Sequence, residues 1–281
     1  MGKRKLLLGL VLLLLGAGAA VMLLRPSAPD PMGSVGLITQ PTALYSVYLD
    51  FEENAWTPED RQFQAGQLSL ALDWLREQGK EYGADLNLTT QQEDPALACQ
   101  ASYDGPIGDG ESPLVSEFDR WAQEVCRQLS EESDQERVGV LFFLPATGQS
   151  YTVVYKPEYE NDYYYEYSVI FQYRPHTLEN QWPGPAVLAH EILHLFGAVD
   201  LYPGQQSLSQ ELAEQVIQRY PDEIMYTVYQ KGETVSLEEI SQQLSPFTAY
   251  RVGLTRDLED LSDLEGLTAE SPGVWEPVSQ P

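Results

Sequence analysis

From Leu44 onward apolar and polar side chains alternate. Tyr45, Val47, Leu49 and Phe51 share one side of a two-residue period, and Leu44, Ser46, Tyr48 and Asp50 the other, which predicts a strand. Thr57-Pro58-Glu59-Asp60 then combines a cap, a proline at the first helical position and early acids. It predicts a helix that runs to about Gln78 and leaves at Gly79. A second strand is expected over Ala84 to Thr89, followed by a loop rich in Asp, Gly and Pro over 102–112. Ser112-Pro113 opens a second helix, whose stripe of Leu114, Phe118, Trp121, Val125 and Leu129 suits packing on a sheet. Val138 to Leu144 is almost wholly apolar, as a strand buried on both faces must be. Tyr151–Tyr155 and Tyr165–Tyr173 predict two more strands. Helical patterns follow over Pro185–Phe196, Ser209–Tyr220 and Pro246–Leu254, with a capping box at Ser236-Leu237-Glu238-Glu239. Strands and helices in this order predict an α/β (α+β) fold, a mixed sheet backed by helices, with a mainly helical or irregular C-terminal part.

Ahead of that pattern, Lys3, Arg4 and Lys5 precede 19 uninterrupted apolar or small residues, Leu6 to Leu24. As a helix the run is roughly 28 Å long, close to the apolar thickness of a bilayer. Basic residues in front predict a cytoplasmic N-terminus with the remainder outside. Ala17-Gly18-Ala19 resembles a signal-peptide cleavage site, so a secreted form is the alternative. The expected organisation is a basic segment (1–5), a membrane anchor (6–24), a Pro-containing stem (25–41), a folded domain (42–255) and an acidic tail (256–281).

The formal net charge of −27 excludes a nucleic-acid binder, which needs a basic footprint to neutralise phosphates. Cys99 and Cys126 are the two cysteines. Outside the cytoplasm they could pair, which would stabilise the fold by about 3.5 kcal/mol; the alternative is two buried thiols.

One segment carries chemistry: His190-Glu191-Ile192-Leu193-His194-Leu195-Phe196-Gly197-Ala198-Val199-Asp200. On a helix His190 and His194 lie one turn apart on one face and can grip a metal ion from one side. Glu191 is offset by about 100° and suits a water on the metal better than the metal itself. Gly197 can take the positive φ that ends a helix and turn Asp200 back toward the two rings. Two imidazoles and a carboxylate leave Zn²⁺ an open position, the arrangement of a catalytic site. Such a zinc lowers the pKa of its water to about 7. Glu191 would take the proton and pass it to a leaving amine. A purely structural zinc usually has four protein ligands, and no fourth is evident here. By chance this pattern arises on the order of once in ten thousand chains of this composition.

This motif resembles that of the metzincin zinc peptidases, in the variant with Asp in place of the third His. The small snapalysin-type enzymes share that variant and carry a Tyr two residues after the Asp, matched by Tyr202. Metzincins also have a tight turn with a Met beneath the zinc, which Asp222-Glu223-Ile224-Met225-Tyr226 resembles, with Met225 as the floor. The resemblance implies an upper subdomain (42–197), a cleft and a lower subdomain (198–255), zinc as cofactor and a peptide or protein as substrate. In some metzincins a Tyr two residues after the Met contacts the metal or the oxyanion; this chain has Thr227 there, so that role passes to no residue. The other histidine, His176, precedes the motif helix in an expected loop. Two functions follow as expectations: an active, tethered zinc endopeptidase, and a non-catalytic peptide-binding module on a peptidase fold. An edge strand, Tyr151–Tyr155 or Tyr165–Tyr173, could receive an extended peptide by strand addition.

Overall fold

The computed structural model describes residues 34–51, 54–107, 117–154, 164–173, 182–202, 208–229, 235–257, 261–262 and 264. The Leu6–Leu24 run, the Ser112-Pro113 helix start, His176 and nearly all of the acidic tail lie outside those residues. Among the described residues no helix is long and apolar enough to cross a membrane.

Strands β1 (Thr42–Phe51), β2 (Leu88–Thr89), β3 (Ala98–Tyr103), β4 (Arg137–Thr147), β5 (Tyr151–Val153) and β6 (Tyr167–Tyr173) form one mixed sheet. Its order is β2-β1-β4-β6-β5, with β3 also paired to β1. All pairings are parallel except β5 with β6, where a terminal antiparallel strand closes the path. Parallel neighbours need long crossovers. Helix α1 (Pro58–Glu81) follows β1, and helix α2 (Glu117–Glu132) joins β3 to β4. Helices α3 (Pro185–Leu195), α4 (Gln210–Arg219) and α5 (Pro246–Arg251) follow the sheet. The fold is therefore a mixed α/β layer with a helical and irregular C-terminal part.

The period of two explains the layering. In β4, Val138, Val140, Phe142 and Leu144 join the apolar cluster under α2, with Phe118, Ala122 and Cys126. Leu141 and Phe143 face the opposite cluster, which holds Leu68, Leu72 and Leu75 of α1 and Leu188, Ile192 and Leu193 of α3. A strand covered on both faces is nearly continuously apolar, and β4 is so from Val138 to Ala146, between Arg137 and Thr147 at its ends. Helix α2 is further fixed by buried Asp119, whose carboxylate accepts the hydroxyls of Tyr164 at 2.5 Å and Tyr167 at 2.8 Å. Helix α1 opens as its sequence dictates, with the Thr57 side chain accepting the N–H of Asp60 at 3.0 Å.

Several features differ from the sequence pattern, among them α1, which passes Gly79 and ends at Glu81, and β2, which keeps only Leu88–Thr89 of the expected strand. Residues 34–40, assigned to the stem, pack into the domain: Val35 and Ile38 are buried, and Ser34 and Val35 donate their N–H groups to Tyr164 and to the Glu166 carboxylate. Strand β3 is absent from the sequence reading: its inward face is the weakly apolar set Cys99, Ala101 and Tyr103, which packs on the α2-side cluster, while Ala98, Gln100 and Ser102 are exposed. At Ser236 the hydroxyl accepts the N–H groups of Glu238 and Glu239 at 3.2 Å each, but no helix follows. Cys99 and Cys126 do not pair: both are free thiols. Cys126 is fully buried on α2 and Cys99 sits on β3. Burial pushes both thiols up, helped by the charges of Asp119 and Glu132 respectively.

Phe142 is fully buried at the centre of the α2 layer, ringed by Phe118, Trp121 and Tyr167 at centroid distances of 5.8, 5.5 and 5.6 Å. Phe142→Ala should cost about 3–5 kcal/mol, read as a lowered urea midpoint with an unchanged slope. A loss below about 1 kcal/mol would contradict this packing.

Candidate metal centre

Helix α3 is buried on nearly every face from Pro185 to Leu193. Its cap position is glycine for a steric reason: a Cβ on Gly184 would stand 2.1 Å from the carbonyl oxygen of Ser236. Within the helix His190 and His194 stack one turn apart, their ring centroids 4.6 Å from each other.

The helix ends as a Schellman turn. Gly197 has φ 93°, its N–H donates to the carbonyl of His194 at 3.0 Å, and the N–H of Ala198 reaches Leu193 at 3.1 Å. Arg251 of α5 donates its Nε–H to the Gly197 carbonyl at 3.2 Å. The chain then doubles back, and the N–H of Leu201 bonds the carbonyl of Met225 at 3.1 Å. These contacts bring Asp200 Oδ1 to 3.3 Å from Nε2 of both histidines.

The far side of each ring determines what the near side can do. His190 Nδ1 lies 3.0 Å from the carbonyl of Ile224, and His194 Nδ1 lies 2.9 Å from that of Ala198. A carbonyl only accepts, so each Nδ1 carries the proton and each neutral ring presents its Nε2 lone pair. Those two nitrogens face each other at 3.1 Å, beside a buried Asp200 oxygen 3.3 Å from each of them. Such a concentration of lone pairs needs a proton or a cation between them. His190, His194 and Asp200 thus form a group that could hold a metal ion.

The electrostatics agree. Burial alone would discharge His194, but the adjoining Asp200 carboxylate and the Glu191 charge raise its pKa to about 9. Burial works against the Asp200 carboxylate too, and the two imidazoles overcome it, holding Asp200 well below the usual carboxylate range. Tyr202 lies beside the group, its ring 6.2 Å from that of His190. Burial, then the charges of Asp200 and Glu191, push its hydroxyl up.

Glu191 is buried, and its Oε2 accepts the hydroxyl of Thr152 on β5 at 2.7 Å. Met225 is fully buried, next to the carbonyl that fixes His190. Two residues have roles that no motif announced. Thr152 is one. The other is Glu223, wholly buried, whose carboxylate takes the Met225 N–H, the Ser245 N–H (3.3 Å) and hydroxyl (3.0 Å), and the Thr248 hydroxyl (2.5 Å). Burial raises its pKa against those hydrogen bonds. Glu223 thereby ties the turn that carries Ile224 to the start of α5. A signal existed in Ser245-Pro246, a helix start, but nothing in the sequence paired it with Glu223.

No protein-family model matches the chain, and no curated protein matches it. Among solved structures it is similar to metalloproteinase-II from Bacteroides fragilis, at 14% identity and a TM-score of 0.40. The match covers 82% of this chain and 57% of that one, so the chain spans little more than half the length of that enzyme. A similarity this distant leaves function to be read from the site itself.

With His194 near 9 and a reference value near 6.5, the metal-free site holds a proton at neutral pH. Its stabilising contribution is complete below about pH 6.5 and is lost as pH rises through about 9. A metal ion must displace that proton. Calorimetry with Zn²⁺ in buffers of different ionisation enthalpy should show proton release at pH 7, and affinity that climbs from pH 6.5 to 9. A pH-independent affinity across that range would contradict the arrangement.

Proposed function

We propose that this chain is a zinc-dependent endopeptidase of metzincin type, held outside a membrane by the Leu6–Leu24 helix. One observation carries the reading: the three donor atoms stand 3.1, 3.3 and 3.3 Å apart. Donors about 2.0–2.1 Å from a tetrahedral ion are separated by about 3.3–3.4 Å, so these three match one face of a zinc tetrahedron. Two neutral imidazoles and one carboxylate are a zinc-type donor set, with a fourth position left for water or substrate.

Zinc, when bound there, acidifies water and polarises a scissile carbonyl. The chain supplies the rest. The Ile224 and Ala198 carbonyls engage the Nδ1 side of His190 and His194, so each ring would offer its Nε2 to the metal. Asp200 offsets charge and sets the third direction. Glu191, anchored through one carboxylate oxygen, takes a proton from the attacking water with the other and delivers it to the leaving amine. Strand β5 ends the sheet and packs on α3, which suits it to receive an extended peptide by strand addition. Asp222–Tyr226, buried at Met225 and tied to His190, supports the resemblance to the metzincin turn. Thr227, where some relatives of that group have Tyr, favours the second reading, a binding module without catalysis.

Zinc-loaded protein should cleave members of a peptide library, and Glu191→Ala should lower kcat about 10²–10⁴-fold with the zinc content unchanged. Equal cleavage by Glu191→Ala would remove the mechanism. Zinc-loaded wild type that cleaves nothing would favour the binding module.

A further inference from the structure

We propose that Thr152, supported by Ser168, is the positioning residue that orients the Glu191 carboxylate, an inference that rests on Glu191 acting as the general base. Thr152 on β5 and Ser168 on β6 are a directly opposed pair in the antiparallel register. Their side chains therefore emerge on the same face of the sheet. Ser168 is a fully buried polar position beside Tyr167, Val169 and Ile170, all of them core. It faces α3, and its hydroxyl lies 3.4 Å from the Glu191 carbonyl.

Thr152 Oγ1 has three oxygens within reach: Glu191 Oε2 at 2.7 Å, Ser168 Oγ at 2.8 Å and the Glu191 carbonyl at 3.1 Å. It has one proton to give. The carboxylate is both the nearest and the charged acceptor, so the proton goes to Oε2. Ser168 then donates to Thr152, and the two hydroxyls form a chain, Ser168 to Thr152 to Glu191, in which each bond strengthens the next. The chain occupies Oε2 and leaves Oε1 as the oxygen open to a water at the metal group. Because Thr152 is β-branched and paired in the sheet, its hydroxyl has little rotational freedom to lose. A buried carboxylate on a helix would otherwise swing about its own side-chain torsions, and an error of about 1 Å at a reacting group can cost about 100-fold in rate.

The strand that carries this clamp is also the edge strand to which the proposed peptide would add. Substrate binding and base alignment would therefore share one three-residue element, Tyr151–Val153.

The test compares full-length wild type with Thr152→Val, Thr152→Ser and Ser168→Ala. Thr152→Val removes the donor at constant shape. It should lower kcat about 10- to 100-fold with KM within about twofold and zinc content unchanged, while Thr152→Ser restores kcat. Ser168→Ala, which keeps the direct bond and loses its support, should give a smaller fall. A crystal structure of metal-free Thr152→Val supplies a readout independent of activity: the Glu191 carboxylate should leave its present position while His190, His194 and Asp200 stay. Unchanged kcat in Thr152→Val, or a carboxylate that stays in place, would overturn the proposal. If Thr152→Val does not fold, Ser168→Ala decides in the same way. The crystallographic result stands even if wild type cleaves no peptide, so failure of the clamp and failure of the peptidase reading are distinguishable.

Discussion

Two ring protons govern this structure. Each imidazole of the motif gives its Nδ1–H to a backbone carbonyl, Ile224 for His190 and Ala198 for His194. That leaves two lone pairs and the Asp200 oxygen converging within about the span of one ion. Side chains this buried and this rich in acceptors are costly unless something positive joins them. The fold accepts that cost here, and several contacts of the C-terminal part hold the group in place. The glycine turn at 197 returns the chain, Arg251 secures the turn, and the Leu201 bond to Met225 closes the loop containing Asp200. Beneath them Glu223 gathers four donors and ties the Ile224 turn to α5.

The sheet has a different duty. Its parallel strands are covered on both faces, so β4 is rigid and dry, and α3 rests against it through Leu188, Ile192 and Leu193. A helix packed this way cannot shift by even a fraction of a turn without opening cavities. Glu191 is thereby delivered to β5 and β6, where Thr152 and Ser168 meet it. His190, His194 and Glu191 share this one helix, while the groups that orient them lie on separate segments, the Ile224 and Ala198 carbonyls for the rings and Thr152 for the carboxylate.

Much of this was legible in the residues alone. His190, His194 and Asp200 were brought together by spacing and by one glycine, because a helix pitch and a left-handed turn are local properties. The central strand was legible because burial on two faces leaves no polar position. What escaped the sequence is what depends on distant partners. Strand β3 shows only a short face of Cys99, Ala101 and Tyr103, and Val35 and Ile38 look like stem because their partners, among them Glu166 and Val252, are distant in the chain. Thr152 belongs to no motif, and Glu223, though inside the Met225 turn, carries no role there by sequence; each matters through a neighbour that only the tertiary fold supplies. The same holds in reverse for Ser236, a good cap with no helix after it, while for Cys99 and Cys126 the sequence left two alternatives and the structure has the free thiols.

The central claim is that these three side chains hold one zinc ion. It is tested most directly by elemental mass spectrometry on the folded wild-type chain beside His190→Ala and Asp200→Ala. The account predicts close to one zinc per wild-type chain, lost in the histidine variant and greatly weakened in the aspartate variant. Folded wild-type protein that takes up no zinc, even after incubation with excess metal, would contradict it and reduce the motif to a decorated core helix.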